Sequence, residues 1–496
     1  MIFLCGAVTY LQRGACVDDA YVSFVFARNL ADGAGLVFNL GDRIEGYSNF
    51  LWVLILGGLR YFTGVSIPMA ARIIGAVLAI CNVLLVLSIA RRVIGEGSRW
   101  ALAAAVLTAV DLRVAAWSVE GLETPLYLFW VLVALRLYLA RRGMWLWGVA
   151  ALGAALTRPE GAILFCALVV HRAIVLIREK RTPAVDIAAV LIFALPFAAY
   201  NAWRIIYFGS GLFPNTFYAR GDAGPLVGLI YISLELWRGW GPVAALLIAV
   251  TAWGALKGAT AGGALMVWVV AGTTMVIIVG GDWMPNARFL VPLLPSAFIL
   301  AAAGCEKISR PKVGMALMAI LLATQVVDLV IYEAGSSFEK RWSRNQDEFY
   351  MPVARKLEEL GARGALVALS DIGYITYHSG IRVVDTLGLV DRHLARMPGG
   401  PAWNTDLDYV MGRRPRFVVT MVRRYGRVEL GHVAFDRAVL DSGDFMLNYR
   451  LETMVPGYKA SELSYDDLKR LEFKRRDYEV EFGIWRRKTD GIRQGT

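Results

Sequence analysis

Two adjacent carboxylates, Asp18 and Asp19, follow the first apolar segment of this 496-residue chain. If that segment crosses a bilayer, both side chains lie at the membrane surface, where a carboxylate can accept a proton from a water-borne substrate beside a lipid-borne one. Adjacent carboxylates repel each other, which raises the pKa of one of them, whereas a bound divalent cation would lower it. The simpler alternative is that the pair only caps the helix that follows.

Further carboxylates, amides, aromatics and arginines recur in short polar motifs between the apolar runs. A guanidinium can hold two phosphate oxygens at once. Arg158, Arg220 and Arg288 of these motifs are therefore candidates to stabilise a departing phosphate. With the acidic pair as base, these residue types suit glycosyl transfer from a lipid-linked sugar phosphate. The candidate substrate-binding residues are Glu45, Tyr47, Asn49, Glu120, Glu123, Arg158, Glu160, Asn215, Tyr218, Arg220, Asp282, Trp283 and Arg288.

Several of these residues also have a structural explanation. Arg158 could pair only with Glu160 in a loop whose proline starts the next helix. Glu120 and Glu123 could serve as first-turn acids of the following helix. Arg288 could be an interfacial residue whose stem lies along apolar surface. The sequence leaves these alternatives open.

The composition indicates an integral membrane protein, because 57% of the residues are hydrophobic, only 19% are charged and the mean hydropathy is +0.51. The net charge of +11 does not point to nucleic acid, since many lysines and arginines lie in short loops between apolar segments. The five cysteines lie in or beside apolar segments without metal-type spacing, which argues against a disulfide framework or a structural zinc site.

The apolar runs predict about 11 membrane-spanning helices. The first run, residues 1–11, has about half of the ~20 residues that a span needs, so either the chain starts upstream of Met1 or residues 9–16 extend the helix. Residues 50–62 form either a span or an interfacial helix. The other predicted spans are 69–90, 100–115, 124–140, 144–157, 161–177, 184–207, 241–256, 262–280, 289–304 and 313–332.

The basic residues predict the orientation of these spans. Loops on one side contain most of them, and the positive-inside rule makes those loops cytoplasmic. The polar motifs and the acidic pair then share the opposite, outer side, which is where a catalytic site would need them. The cytoplasmic set is Arg91, Arg92, Arg99, Arg141, Arg142, Arg178, Lys180, Arg181, Lys257, Lys307, Arg310 and Lys312.

The chain is expected to contain two domains. Residues 1–335 form the transmembrane part, with an outward catalytic loop at 13–68, in which 18–28 have the apolar spacing of an amphipathic helix lying on the membrane. Residues 336–496 have frequent charges and form a small extracytoplasmic α/β domain. Its predicted strands include 365–369 and 416–421, and its predicted helices include 353–360 and 463–473.

The motifs in this order resemble the GT-C superfamily of membrane glycosyltransferases. More narrowly, they are similar to the terminal β-(1→2) arabinofuranosyltransferases of actinobacterial cell walls. The motifs that carry this resemblance are Asp18-Asp19-Ala20-Tyr21, Val37-Phe38-Asn39, Glu45-Gly46-Tyr47-Ser48-Asn49-Phe50-Leu51-Trp52, Gly281-Asp282-Trp283-Met284-Pro285 and Arg288-Phe289, with weaker continuation into Asp371-Ile372-Gly373 and Asp385-Thr386-Leu387-Gly388-Leu389.

The resemblance implies an inverting transferase of the bacterial inner (plasma) membrane. It would move a sugar, arabinofuranose in the closest case, from a polyprenyl phosphate to an extracytoplasmic glycan, lipid or protein acceptor. By the family pattern Asp18 would be the base, and Asp19 would orient the acceptor or a divalent cation, the one cofactor expected. The first span is short and the C-terminal domain is smaller than in those enzymes, which leaves the donor sugar and the acceptor open.

Two other classes of protein compete with this interpretation. A transporter or flippase usually has ionisable residues inside its spans and two inverted halves, and neither pattern is evident in the sequence. A catalytically silent assembly factor with the outer domain as a partner platform is the third hypothesis. The intact acidic pair and the outward arginines favour the enzyme.

Overall fold

The computed structural model describes residues 1–12, 14, 16–140, 145–180, 184–221, 224–240, 260–284, 286–334, 346–425, 428–431, 433–459 and 478–488. Up to residue 334 these residues are helical, apart from connecting loops. The helices are α1 Ile2–Leu11, α2 Asp18–Ala31, α3 Phe50–Thr63, α4 Ile67–Ile94, α5 Arg99–Val110, α6 Leu112–Trp117, α7 Thr124–Ala140, α8 Leu146–Thr157, α9 Gly161–Glu179, α10 Ala184–Phe208, α11 Asn215–Ala219, α12 Gly224–Trp240, α13 Thr260–Val279, α14 Leu294–Glu306 and α15 Pro311–Ala334, with a 3₁₀ turn at Arg288–Leu290.

Among the described residues, five helical segments are long and apolar enough to cross a membrane. Each predicted span in the described part of the chain coincides with helical structure, whereas the one at 241–256 lies outside the described residues. The protein is therefore an α-helical multi-pass membrane protein, and the number of 11 spans stays a prediction. The five segments are Ile67–Ile94, Gly161–Glu179, Ile187–Phe208, Gly262–Val279 and Pro311–Glu333.

Helix α4 holds the loop that contains two of the candidate carboxylates. A Cβ on Gly75 would lie 1.9 Å from the carbonyl oxygen of Ser118, so only glycine permits this approach. Two turns further on, Asn82 Nδ2 donates a hydrogen bond to the carbonyl oxygen of Pro125 at 3.1 Å. These two contacts fix both ends of the segment between α6 and α7.

The C-terminal part is a small α/β domain. Its sheet has the order β2-β1-β3-β6-β5, with β4 paired to β3; β1 is parallel to β2 and β3, and the other pairs are antiparallel. The elements are α16 Gln346–Glu359, β1 Leu366–Leu369, α17 Ile372–Ser379, β2 Arg382–Asp385, α18 Leu407–Gly412, β3 Phe417–Tyr425, β4 Val428–Gly431, α19 Ala434–Asp441, α20 Gly443–Asn448, β5 Tyr449–Lys459 and β6 Tyr478–Arg487.

The predicted strands at 365–369 and 416–421 are confirmed as β1 and the start of β3, and the helix at 353–360 as the end of α16. The helix predicted at 463–473 lies outside the described residues, as does the predicted domain boundary at 335/336. Because β1, α17 and β2 form a parallel βαβ unit, the N-terminus of α17 lies at the carboxyl end of β1. That edge is where open α/β sheets usually bind ligands.

Helix α2 differs from the expected surface helix. Residues 20–27 are all buried, because α2 packs against α3 on one side and against α17 of the C-terminal domain on another. Tyr21, for example, contacts the rings of Phe24, Tyr374 and Tyr377. An amphipathic pattern predicts one covered face, but the polar positions of α2 are covered as well, by a domain that is more than 300 residues away in sequence.

Candidate active site

Three arginines surround one aromatic ring. The guanidinium carbons of Arg158, Arg220 and Arg288 lie 5.1, 4.7 and 5.2 Å from the centre of the Phe289 ring. These residues come from the loop after α8, from the end of α11 and from the 3₁₀ turn before α14. We call this group the arginine cluster. Side chains of Arg158, Arg288 and Phe289 also line a cavity.

A left-handed turn places Arg288 in this cluster. Asn286 and Ala287 have φ values of 59° and 44°, and the carbonyl oxygen of Asn286 accepts a hydrogen bond from Trp117 Nε1 at 2.9 Å. Arg288 donates to both carboxylate oxygens of Asp282, at 2.8 Å from Nε and 3.2 Å from Nη2. Its position is therefore set by α6 on one side and by Asp282 on the other.

Arg158 is held by two carboxylates. Its Nη1 donates to Glu123 Oε1 at 2.5 Å and its Nη2 to Glu160 Oε1 at 3.0 Å. The other oxygen of Glu123 accepts a hydrogen bond of 2.7 Å from Asn49 Nδ2. Asn49 in turn hydrogen-bonds Ser23 of α2. The outward loop, the α6–α7 segment and the loop after α8 thus meet in one hydrogen-bonded chain.

Arg220 differs from the other two arginines. Its Nη2 donates to the carbonyl oxygen of Gly281, and within the described part of the chain it makes no ion pair. The residue is exposed. Most of its five donors therefore remain available for an anion.

Asp19 is a carboxylate that interacts electrostatically with one member of this group, Arg288. The pKa of Asp19 is raised to about 7, mainly by burial; Asp18, Asp282 and Glu123 also raise it, and Arg288 lowers it. The residue is partly exposed, and no described residue hydrogen-bonds its carboxylate. A carboxylate with a pKa near neutrality and no fixed partner has the properties of a general base.

Asp18 is held by the C-terminal domain instead. Its Oδ1 accepts a hydrogen bond from the backbone N–H of Tyr374 at 2.6 Å, and its Oδ2 accepts one from Gly373 at 3.2 Å. Burial, followed by the nearby Asp371 carboxylate, raises its pKa to about 7 against these two bonds. The side chain is only 7% exposed. Two adjacent residues of α2 thus have different surroundings.

The carboxylates next to the arginines already accept hydrogen bonds from protein donors. Among the described residues, no group of three or more His, Cys, Asp or Glu side chains is arranged to bind one. Both oxygens of Asp282 accept bonds from Arg288, and both of Glu123 accept bonds from Arg158 and Asn49. A metal ion that bound to Asp282 or Glu123 would have to displace these donors.

Other predicted site residues lie elsewhere and have structural contacts. Glu45 forms a buried two-bond ion pair with Arg204, at 3.0 and 2.6 Å. Tyr47 packs against the rings of Phe26 and Phe208. Asn215 Nδ2 donates to the backbone carbonyls of Gly388, Leu389 and Asp391, and Tyr218 lies under the guanidinium of Arg396. Trp283 is 67% exposed, and Glu120 is buried, with its carbonyl oxygen accepting from Val17 N–H.

Several residues of this arrangement were not predicted as site residues. Arg204 lies within the predicted span 184–207, and a lone arginine in such an apolar run signals a buried carboxylate partner. Phe289 appeared only as part of a motif. Gly373 and Tyr374 act through their backbone N–H groups, which no side-chain pattern reveals.

Comparisons with known proteins identify the fold. ArnT of Cupriavidus metallidurans, solved with undecaprenyl phosphate, superposes with a TM-score of 0.59 at 12% identity over 97% of this chain and 96% of its own. The oligosaccharyltransferase AglB of Archaeoglobus fulgidus, in complex with an inhibitory peptide and a dolichol-phosphate, gives 0.56 at 9% identity over 98% and 88%. The chain has a GT-C fold.

Three further similarities concern this chain or parts of it. A terminal β-(1→2)-arabinofuranosyltransferase of Mycobacterium tuberculosis (strain ATCC 25618 / H37Rv) is 27% identical over 246 residues, which cover 45% of this chain and 38% of that relative. The mycobacterial arabinofuranosyltransferase AftD gives a TM-score of 0.50 at 15% identity, over 98% of this chain and 41% of its own. A domain of unknown function (DUF8728) matches residues 339–482. The resemblance predicted from the motifs is confirmed.

Proposed function

We propose that this protein is an inverting glycosyltransferase that moves a sugar from a polyprenyl-phosphate donor to an extracytoplasmic acceptor. The observation that carries the proposal is the position of Asp19, a partly exposed carboxylate that interacts electrostatically with Arg288 of the arginine cluster. Glycosyl transfer from a sugar phosphate needs a base for the acceptor and cations for the leaving phosphate, and this site offers both.

The reaction uses these groups in one displacement. The Asp19 carboxylate accepts the proton of the acceptor hydroxyl while the hydroxyl oxygen forms a bond to the anomeric carbon of the sugar. The bond between that carbon and the phosphate oxygen breaks on the opposite face, so the configuration inverts. Polyprenyl phosphate leaves with the electron pair, and its added negative charge is stabilised by guanidinium donors.

The arginines have distinct roles in this scheme. Arg220 has no carboxylate partner among the described residues and supplies the most accessible positive charge. Arg288 and Arg158 stay paired with Asp282 and with Glu123 and Glu160, which fixes their orientation. Phe289 gives all three an apolar, water-poor neighbour, which strengthens their interaction with an anion.

The base is therefore assigned to Asp19 rather than to Asp18, which the family pattern had favoured. Asp18 has both oxygens bonded to backbone N–H groups and is nearly inaccessible. A base has to reach the acceptor hydroxyl within hydrogen-bond distance, and Asp19 is the more exposed of the two.

The membrane arrangement follows from the charge distribution. With the basic loops in the cytoplasm, the arginine cluster and the C-terminal domain lie outside the plasma membrane. Arabinofuranose is the donor sugar that the partial mycobacterial similarity favours. With arabinofuranose as the donor sugar, we propose a cell-wall glycan as the acceptor.

The test is an assay of the purified protein in lipid bilayers with a panel of polyprenyl-phosphate sugars, including arabinofuranose and mannose. Wild type is compared with Asp19→Asn and with Asp42→Asn, a control in the same outward loop. We expect transfer by wild type and the control, and a loss of about 10²–10⁴-fold in Asp19→Asn with donor binding retained.

Three results would contradict the proposal. Near-normal turnover of Asp19→Asn would show that Asp19 is not the general base of the proposed reaction. Donor binding by wild type without transfer to any of a range of glycan, lipid and peptide acceptors would favour the assembly factor, and movement of intact donor across the bilayer would favour the flippase.

A further inference from the structure

The contact between Asp18 and the C-terminal domain is unusually close. Besides the hydrogen bonds from Gly373 and Tyr374, the backbone itself approaches: a Cβ on Gly373 would lie 2.0 Å from the carbonyl oxygen of Asp18 and 3.1 Å from its Cγ. Only glycine fits at this position. We call the contact of Asp18 with Gly373 and Tyr374 the Asp18 clamp.

Other polar contacts bind the same outward loop to the same domain. Arg28 Nη1, at the far end of α2, donates to the carbonyl oxygen of Tyr377 at 2.7 Å. The side-chain amide of Asn39 donates a hydrogen bond to the carbonyl oxygen of Val383 in β2 and accepts one from the N–H of the same residue, both at 2.9 Å. Both ends of α2 and the loop that follows it are therefore attached to the βαβ unit.

We infer that the C-terminal domain is a working part of the transferase site, in which the Asp18 clamp fixes the first turn of α2 and so holds Asp19 toward the arginine cluster. Asp18 is then a positioning residue. The inference rests on the proposed function, because it takes Asp19 as the base.

The physical reason lies in the first turn of the two helices. A carboxylate at a helix N-terminus is stabilised by N–H groups that have no partner within the helix. If α2 rotated, those two buried N–H groups would lose their acceptor, and Asp18 would remain buried beside Asp371 without compensation. Asp19 is the next residue, so it moves with any such rotation.

The first test is Gly373→Ala, with Gly412→Ala as the matched control. Both glycines lie in helices of the C-terminal domain, but a Cβ on Gly412 has no atom within 4 Å. We expect kcat to fall about 100-fold in Gly373→Ala, since a displacement of about 1 Å at a catalytic group has this effect. The Kd for the polyprenyl-phosphate donor should stay within about threefold of wild type, because the arginine cluster is untouched.

The second test uses Asp18→Asn and does not depend on activity alone. The two N–H groups donate to different oxygens of Asp18, and in asparagine one of these oxygens is replaced by an NH2 group that cannot accept. Amide hydrogen exchange at Gly373 and Tyr374 should therefore become faster, and the exchange of β1 should not change.

The pH profile separates positioning from a general loss of structure. Asp18, Asp282 and Glu123 disfavour the ionised form of Asp19, while Arg288 favours it. Removal of the Asp18 charge should shift the acid limb of kcat/KM to lower pH, whereas fewer folded molecules would lower the whole profile without shifting it.

The outcomes distinguish the inference from the proposed function. Wild type that binds donor and transfers nothing contradicts the proposed function. An active wild type whose Gly373→Ala variant is folded and keeps kcat within twofold overturns the inference and leaves the proposed function intact. Unchanged exchange at Gly373 and Tyr374 in Asp18→Asn also overturns it, even if the glycine variant does not fold.

Discussion

The arginine cluster and the Glu45–Arg204 pair contain the same residue types in different surroundings. In the pair, both side chains are nearly inaccessible, 2% and 3% exposed, and the guanidinium of Arg204 binds Glu45 and the carbonyl oxygen of Leu212. In the cluster, Arg220 is exposed and makes no ion pair within the described residues. A buried ion pair with complete hydrogen bonding holds elements together, whereas an arginine with spare donors can bind a ligand.

The comparison gives its sharpest prediction at Arg220. In Arg220→Gln, kcat/KM should fall by about 10²–10³-fold, because a donor aimed at developing negative charge is lost and no carboxylate is left unpaired. The melting temperature in detergent should stay close to that of wild type. Steady-state kinetics with the active donor and a thermal scan measure both. Normal kcat/KM would place the phosphate elsewhere.

The pH dependence of turnover tests the acidic side of the same site. The pKa of Asp19 is raised from 3.8 to about 7, mainly by burial, so the carboxylate is half ionised at about pH 7 and loses its charge as the pH falls further. We expect turnover to be maximal above about pH 8 and to fall about tenfold per unit below 7, reaching about one hundredth near pH 5. A profile that is flat between pH 5 and 8 would contradict the assignment of Asp19 as base.

The Glu45–Arg204 pair should behave in the opposite way. Arg204→Gln should lower the free energy of unfolding by about 3–5 kcal/mol, because it leaves a buried carboxylate without its charge partner. The KM of the remaining folded protein should stay within about threefold of wild type. Denaturant unfolding and kinetics on the same sample check this result.

A double variant is the control for that experiment. Glu45→Leu combined with Arg204→Met removes both charges, so it should recover most of the lost stability. A rise in KM of more than tenfold in a stable double variant would mean that the pair binds substrate after all.

The smallest expected effect is that of chelation. Because the oxygens of Asp282 and Glu123 are bonded to Arg288, Arg158 and Asn49, incubation with EDTA should change turnover less than about twofold. Turnover that is lost in EDTA and restored by added Mg²⁺ or Mn²⁺ would show that the paired geometry opens in the working enzyme.

Much of the fold could be predicted because apolar runs determine spans directly. The helices at α4, α9, α10 and α15 match the predicted segments closely, since about 20 apolar residues have few alternatives in a membrane protein. The surroundings of α2 could not be predicted. Its sequence pattern shows which residues are apolar and gives no information on a covering domain that is distant along the chain.

The candidate site was predicted in part, for a related reason. The orientation of the spans brings Arg158, Arg288 and Glu123 to one face, and the structure places them together. The same reasoning could not separate Arg220, which is free to bind, from Glu45, whose partner Arg204 is 159 residues away. Long-range pairing depends on how helices pack, and residue types in a single sequence do not determine that.

The burial of α2 has a consequence for how the protein is made. Tyr374 is 356 residues downstream of Asp18, so a ribosome that adds about 5–20 residues per second reaches it roughly 20–70 s after Asp18 is translated. Until then the first outward loop lacks α17 of the C-terminal domain, which packs against α2 in the folded protein. We therefore expect a chain truncated before Gly373 to be sensitive to proteases at α2 and, under the proposed function, to be inactive.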